Sequence, residues 1–186
     1  MSIDSFSQAK KDVLSRADKS SIGGWDKKVT RLCWKINKNK NYYTTSSCSG
    51  RIILMWDRDK KGEGLFVKVW HEEVSFKELK KELEKIKKGE IKFKQEPCII
   101  HIACKSLEDA QKLHDLAKLS GWKRCGIISI KRKIVLEINC TEKLEFPVIH
   151  SGKILVDDKF LRIVLEKANK NLEKSLEKIQ KLEKMF

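Results

Sequence analysis

No uninterrupted apolar run in this 186-residue chain approaches the roughly 20 residues of a membrane span, which excludes a helical membrane protein. The opening residues Met1-Ser2-Ile3-Asp4-Ser5-Phe6 lack the charged and apolar regions of a signal peptide, so a cytoplasmic location is expected. The six cysteines (33, 48, 98, 104, 125 and 140) include no Cys-x-x-Cys pair, and the four histidines (71, 101, 114 and 150) have no zinc-finger spacing. A structural metal is therefore not expected, and most thiols should be free and packed as small hydrophobes. The one Gly-x-Gly, Gly62-Glu63-Gly64, falls in what reads as a hairpin turn. The Gly-rich loop of a doubly wound, Rossmann-type cofactor fold is thus missing. No Pro/Ser-rich linker and no clear repeat divides the chain, which reads as a single domain over residues 1–186.

What the chain does have is positive charge. Lysine and arginine number 41 against 26 acidic residues, giving a net charge of +15 and a pI near 9.5. Such an excess concentrates polyanions around a protein and points to a nucleic acid partner. A lysine-rich source, using Lys/Glu pairs for solubility or heat resistance, is the alternative; it accounts poorly for an excess of one sign.

Apolar periodicity predicts helices from about Ser5 to Arg16 and from Asp26 to Lys38, with Val29, Leu32, Cys33 and Ile36 on one face of the second. Gly23 and Gly24 separate the two, and Asp26 stands at an N-cap position. Strands are predicted at Arg51–Trp56, Leu65–Trp70, Ile91–Lys94, Cys98–Cys104, Gly126–Lys131 and Ile134–Ile138. Helices are predicted near Ser75–Lys88 and after the N-cap Ser106. From about residue 157 to 185 a long amphipathic helix carries Leu161, Leu165, Leu172, Leu176 and Leu182 on one stripe. That stripe either packs across the domain or forms a coiled-coil contact, so the protein is expected as a monomer or a homodimer. The mixture lacks regular βαβ alternation and fits an α+β two-layer sandwich, a mixed sheet with helices on one face.

One segment stands apart chemically: Tyr42-Tyr43-Thr44-Thr45-Ser46-Ser47-Cys48-Ser49-Gly50-Arg51. Its six successive hydroxyl or thiol side chains are too polar for a core and poorly suited to a helix. With the freedom of Gly50 and the guanidinium of Arg51, they read as a loop able to hold an anion, or equally as a polar turn. Lys35, Lys38 and Lys40 lie just upstream, and the rings of Tyr42 and Tyr43 offer platforms for an unstacked base.

The run from Tyr42 to Ile52 closely resembles the most distinctive motif of the tRNA wybutosine-synthesising protein 3 family. Asp18-Lys19-Ser20 with Gly23 and Asp26 resembles that family's N-terminal motif. Trp70-His71-Glu72, Glu96-Pro97-Cys98-Ile99-Ile100-His101 and Gly121-Trp122-Lys123-Arg124-Cys125-Gly126-Ile127 resemble further family elements, in the family's order. Cys125 stands where the family more often has serine, and no role is carried over to it. The resemblance implies methyl transfer from S-adenosylmethionine to N4 of a tricyclic wyosine precursor, beside the anticodon of tRNA(Phe), in an archaeal version of the protein. The missing Gly-rich loop then requires an unconventional cofactor site.

Within that expectation Ser46, Ser47, Cys48, Ser49 and Arg51 are the candidate cofactor-binding residues, and Lys35, Lys38, Lys40, Tyr42 and Tyr43 the candidate RNA contacts. Methylating a ring nitrogen releases a proton, so Asp26, His71 and His101 are candidate bases. Each has a plainer reading: an N-cap for Asp26, a satisfied core group for His101, a strand end for His71. A thiolate at Cys48 near Arg51 would be reactive, but Cys48-x-x-Arg51 is too short for a cysteine phosphatase loop. A non-catalytic RNA-binding module is the alternative function.

Overall fold

The computed structural model describes residues 5–16, 26–58, 62 and 64–186. Its elements run α1 (Ser5–Leu14), α2 (Lys27–Lys38), β1 (Tyr42–Cys48), β2 (Arg51–Trp56), β3 (Phe66–Trp70), α3 (Phe76–Glu84) and β4 (Ile91–Glu96). Then follow β5 (Ile99–Cys104), α4 (Leu107–Leu119), β6 (Arg124–Ser129), β7 (Ile134–Asn139), β8 (Leu144–His150), β9 (Lys153–Ile154) and α5 (Asp158–Glu183). The expected α+β class and long C-terminal helix are present. The segment from Asp18 to Trp25, which carries part of the N-terminal motif and the two glycines, lies outside the described residues.

Two sheets replace the single mixed sheet expected, and every strand pair in them is antiparallel. They belong to two compact units between which the chain passes repeatedly. The first comprises Met1–Ser49, Cys98–Thr141 and Ser175–Phe186; the second comprises Gly50–Pro97 and Glu142–Lys174. Alternation within a strand encodes which side is buried but not which strand lies beside it, and this is where the single-sheet expectation fails.

In the first unit the strand order is β1-β5-β7-β6. One face of this sheet presents Ile100, Ile102, Leu136 and Ile138 to Val29 and Leu32 of α2 and Leu113 of α4, all buried. Caps place the helices. Asp26 accepts from Lys28 N at the start of α2, and Ser106 accepts from Asp109 N at the start of α4. In the second unit the order is β3-β2-β4-β8-β9. Ile52, Leu54 and Phe93 pack with Leu79 and Leu83 of α3, whose first turn is held by a Ser75–Glu78 capping box.

α5 supplies both cores from one stripe: Leu161, Leu165, Ala168 and Leu172 in the second unit, Ile179 and Leu182 in the first. Its apolar face is thereby occupied within the chain. Polar groups beneath it are paired, with Asn171 Nδ2 donating to Gln95 Oε1 at 2.8 Å and Asn169 bonding both the N–H and the carbonyl of Val74.

Strands β8 and β9 were not anticipated. Pro147 interrupts the β8 pattern, and it sits opposite Lys92 next to an irregularity in the β4 pairing. The turn after β8 depends on Gly152, whose φ is +75° and where a Cβ would lie 2.2 Å from the carbonyl oxygen of Lys87. Gly152→Ala is expected to destabilise the protein by about 2 kcal/mol or more, through the left-handed backbone and the clash together. Thermal unfolding followed by circular dichroism measures it.

Candidate active site

The hydroxyl run is a strand, not a loop. β1 lies at the sheet edge beside β5, with Tyr42 opposite Cys104 and Cys48 opposite Ile99. Strand alternation sorts its side chains to two faces. Thr44 and Ser47 turn toward α2. There Asn37 donates to Thr44 Oγ1 at 3.0 Å and accepts from Thr44 N at 2.7 Å, and Ser47 lies beside the Cys33 thiol. The polar groups of Thr44 thus find their own partner, which is how so polar a segment lies against a core.

Tyr42 and Tyr43 are corrected as base platforms. Both are buried, Tyr42 donating to the Asp109 carbonyl at 3.0 Å and Tyr43 packing 5.1 Å from the ring of Phe6. A ring sealed in a core has no face to offer an unstacked base. Burial, with Asp109 and Cys104 nearby, pushes the Tyr42 phenol up to about 12. Of the lysines, Lys35 reaches the carbonyl of Glu183 at 2.6 Å and Lys38 lies 4.9 Å over the exposed ring of Trp34. Lys40 is exposed.

Asp26 does more than cap α2. While Oδ1 accepts from Lys28 N at 3.1 Å, Oδ2 accepts from Ser49 N at 3.0 Å and from the Ser49 hydroxyl. The end of β1 is therefore tied to the start of α2 through one buried carboxylate. Gly50 follows with φ of 105°, a left-handed value that a side chain would oppose.

Arg51 opens β2 in the second unit, its Nε donating to Glu96 Oε2 at 2.7 Å and its guanidinium 5.2 Å from the Phe66 ring centroid. Burial pushes the Glu96 carboxyl up, but Arg51 and Lys94 together outweigh it and hold it below the usual range. With a depressed folded value, the stabilisation is present above the unfolded carboxylate range and is lost as pH falls through the folded value. Unfolding of Glu96→Gln should accordingly vary less than wild type between about pH 5 and 3, as denaturant titrations at each pH will read. His71 follows β3 in the second unit and is partly buried.

His101 is the residue around which groups converge. It stands on β5 with its side chain on the face opposite the α2–α4 core. Nδ1 lies 2.9 Å from Ser46 Oγ on β1, and Nε2 lies 2.8 Å from Glu137 Oε2 on β7. The register puts Ser46, His101, Glu137 and Gly126 in one row across all four strands. Side chains of His101 and Glu137 are 29% and 31% exposed, open enough to meet a ligand and enclosed enough to stay oriented. The neighbouring row holds Cys48, Ile99, Asn139 and Arg124. There the Oδ1 of Asn139 is buried with no hydrogen-bond partner among the described residues.

Glu137 and Asn139 were missed by the sequence reading. Their signal was available: in Ile134-Val135-Leu136-Glu137-Ile138-Asn139 they are the only polar residues, on one face of a strand otherwise apolar. Four of the six thiols, Cys33, Cys98, Cys104 and Cys140, are free and buried, as expected for most of them. Burial pushes Cys33 and Cys125 up to about 11, Cys104 to about 12 and Cys98 well above its ordinary value. No helix among the described residues is long and apolar enough to cross a membrane.

Comparison with known proteins gives one consistent result. The profile of the family described as Methyltransferase TYW3 matches residues 8–186. The tRNA wybutosine-synthesizing protein 3 homolog of Danio rerio is 36% identical over 184 residues, covering 96% of this chain and 73% of that one. The tRNA(Phe) 7-((3-amino-3-carboxypropyl)-4-demethylwyosine(37)-N(4))-methyltransferase of Thermococcus sibiricus is 37% identical over 179 residues, covering 95% and 91%. In structure the chain is similar to the PH1069 protein of Pyrococcus horikoshii, with a TM-score of 0.85 and 35% identity over 96% of this chain and 92% of that one.

Proposed function

The chain belongs to the TYW3 methyltransferase family, and from that premise we propose that it methylates N4 of a 4-demethylwyosine-type base at position 37, in the anticodon loop of tRNA(Phe), with S-adenosylmethionine as donor. Within the chain, the observation that carries this reading is the Ser46–His101–Glu137 row on an accessible sheet face.

The row is suited to removing the proton that methylation displaces. A carboxylate only accepts hydrogen bonds, so Glu137 sets the imidazole proton on Nε2 and leaves Nδ1 as an acceptor for the Ser46 hydroxyl. The base N–H passes its proton to Ser46 Oγ as the Ser46 proton moves to Nδ1, and the electron pair stays on the ring nitrogen. The imidazolium so formed is paired with Glu137. His101 acts as general base, Ser46 as the relay that touches substrate, and Glu137 as the positioning residue.

S-adenosylmethionine supplies an electrophilic methyl group when bound. Of the residues assigned to it from sequence, Ser49 and Arg51 each have a partner within the fold. The donor groups of this cationic cofactor are better matched by acceptors on the His101 face, the orphaned Asn139 Oδ1 and the Glu137 carboxylate, with Ser46 and Cys48 beside them. Asp26 is a positioning residue here, holding the end of β1 against α2.

The test uses purified full-length protein, S-adenosylmethionine and tRNA(Phe) carrying 4-demethylwyosine. One methyl group added to that nucleoside, read by mass spectrometry and dependent on the cofactor, is the expected outcome. No methylation of a substrate that a known relative does methylate would sink the reading, and calorimetry without cofactor binding would favour a plain RNA-binding module.

A further inference from the structure

At the edge of the first sheet, β6 and β7 form a hairpin; Glu137 and Asn139 of β7 serve the proposed chemistry, whereas the cationic start of β6 and the turn do not. Every residue from Lys123 to Lys133 is exposed except Cys125. Five of them are cations: Lys123 and Arg124 at the start of β6, and Lys131, Arg132 and Lys133 in the turn. No acidic residue occurs between Asp115 and Glu137, and none of the five pairs with another charge among the described residues. Ile128 and Ile130, 54% and 68% exposed, stand among them. Where acidic residues stand near cations they pair, as in Lys92 with Asp57 and Lys94 with Glu96; this cluster has no acid within its run of sequence.

We propose that the β6–β7 hairpin is an RNA-gripping arm that binds tRNA phosphates next to the reacting base. This rests on tRNA being the substrate. Arg124 lies in the row adjacent to His101 and Glu137 on the same sheet, so phosphates held along the hairpin would flank a nucleotide delivered to that face. Unpaired cations with no acidic neighbour match a polyanion, whereas a second copy docking on this edge would set like charges against each other. The register shift between Ile127 and Ser129 further discourages edge-to-edge pairing. The isoleucines supply apolar surface for a ribose or a base face.

The experiment compares the full chain with the K131E/R132E/K133E variant, binding unmodified tRNA(Phe) in fluorescence anisotropy from 50 to 200 mM salt. The dissociation constant should rise at least about 10-fold, and the slope of log K against log salt should fall by about 2, near 0.7–0.9 for each lost phosphate contact. In methyl transfer the loss should appear in KM for tRNA, while kcat at saturating tRNA is kept. An unchanged affinity and slope would overturn the arm. So would a wild-type dimer that the substitutions convert to monomer with tRNA binding intact. If wild type binds tRNA as described but transfers no methyl group, the arm stands and the proposed chemistry falls. The turn is fully exposed, so an unchanged melting temperature confirms that the variant folds.

Discussion

His101→Ala is expected to lower methyl transfer by at least about 100-fold, the range over which a positioned general base acts, while changing the melting temperature little. The imidazole is partly exposed and lies on the sheet face away from the α2–α4 core, so its removal opens no cavity there. Its contribution is directional: it receives a proton through Ser46 and keeps the resulting charge beside Glu137. Glu137→Gln separates orientation from charge, since the amide oxygen still accepts from Nε2 but no longer stabilises an imidazolium. That variant should fall between wild type and His101→Ala, and its deficit should appear in kcat rather than in KM for tRNA. Methyl transfer by His101→Ala at wild-type rate, with the cofactor bound, would remove the row from the chemistry.

The second large effect is on stability. Asp26→Ala removes an N-cap and both hydrogen bonds to Ser49 at once, leaving the Ser49 N–H buried with its acceptor gone. Loss of a cap costs about 1 kcal/mol and loss of buried bonds to a charged group more, so about 3 kcal/mol is expected in total. For a chain of this size that corresponds to a melting temperature roughly 6–12 °C lower. Asp26→Asn discriminates between the two roles. Asparagine caps helices as well as aspartate does, but its NH₂ opposes the Ser49 donors, so it should recover only the capping part. Equal loss for both variants would show that the clamp on Ser49 dominates, and full recovery by Asn that it contributes nothing.

The candidate site was legible unevenly, for reasons specific to each residue. Asp26 was recognised as a cap because an acid preceding the stripe of Val29, Leu32, Cys33 and Ile36 is a local signal. Its second partner, Ser49, lies 23 residues away and follows a strand that sequence reads as a loop. Tyr42 and Tyr43 were read as exposed because they precede a polar run. In the structure that run is a sheet edge, and alternation buries one tyrosine toward α4 and the other against α1. Arg51 stood beside the serines in the chain, yet it begins the second unit, where it is held by Glu96.

Sequence by itself determined the family, the positive charge and the α+β class. It also determined most element positions, because caps, turn glycines and apolar periodicity are written within a few residues of where they act. Tertiary structure alone decided that the strands form two antiparallel sheets, that one stripe on α5 serves both cores, and that His101 meets Glu137 from 36 residues further along. The physical reason is common to all three. Periodicity states which side of an element must leave water, but a buried side has many possible partners, and only packing and hydrogen-bond register select among them.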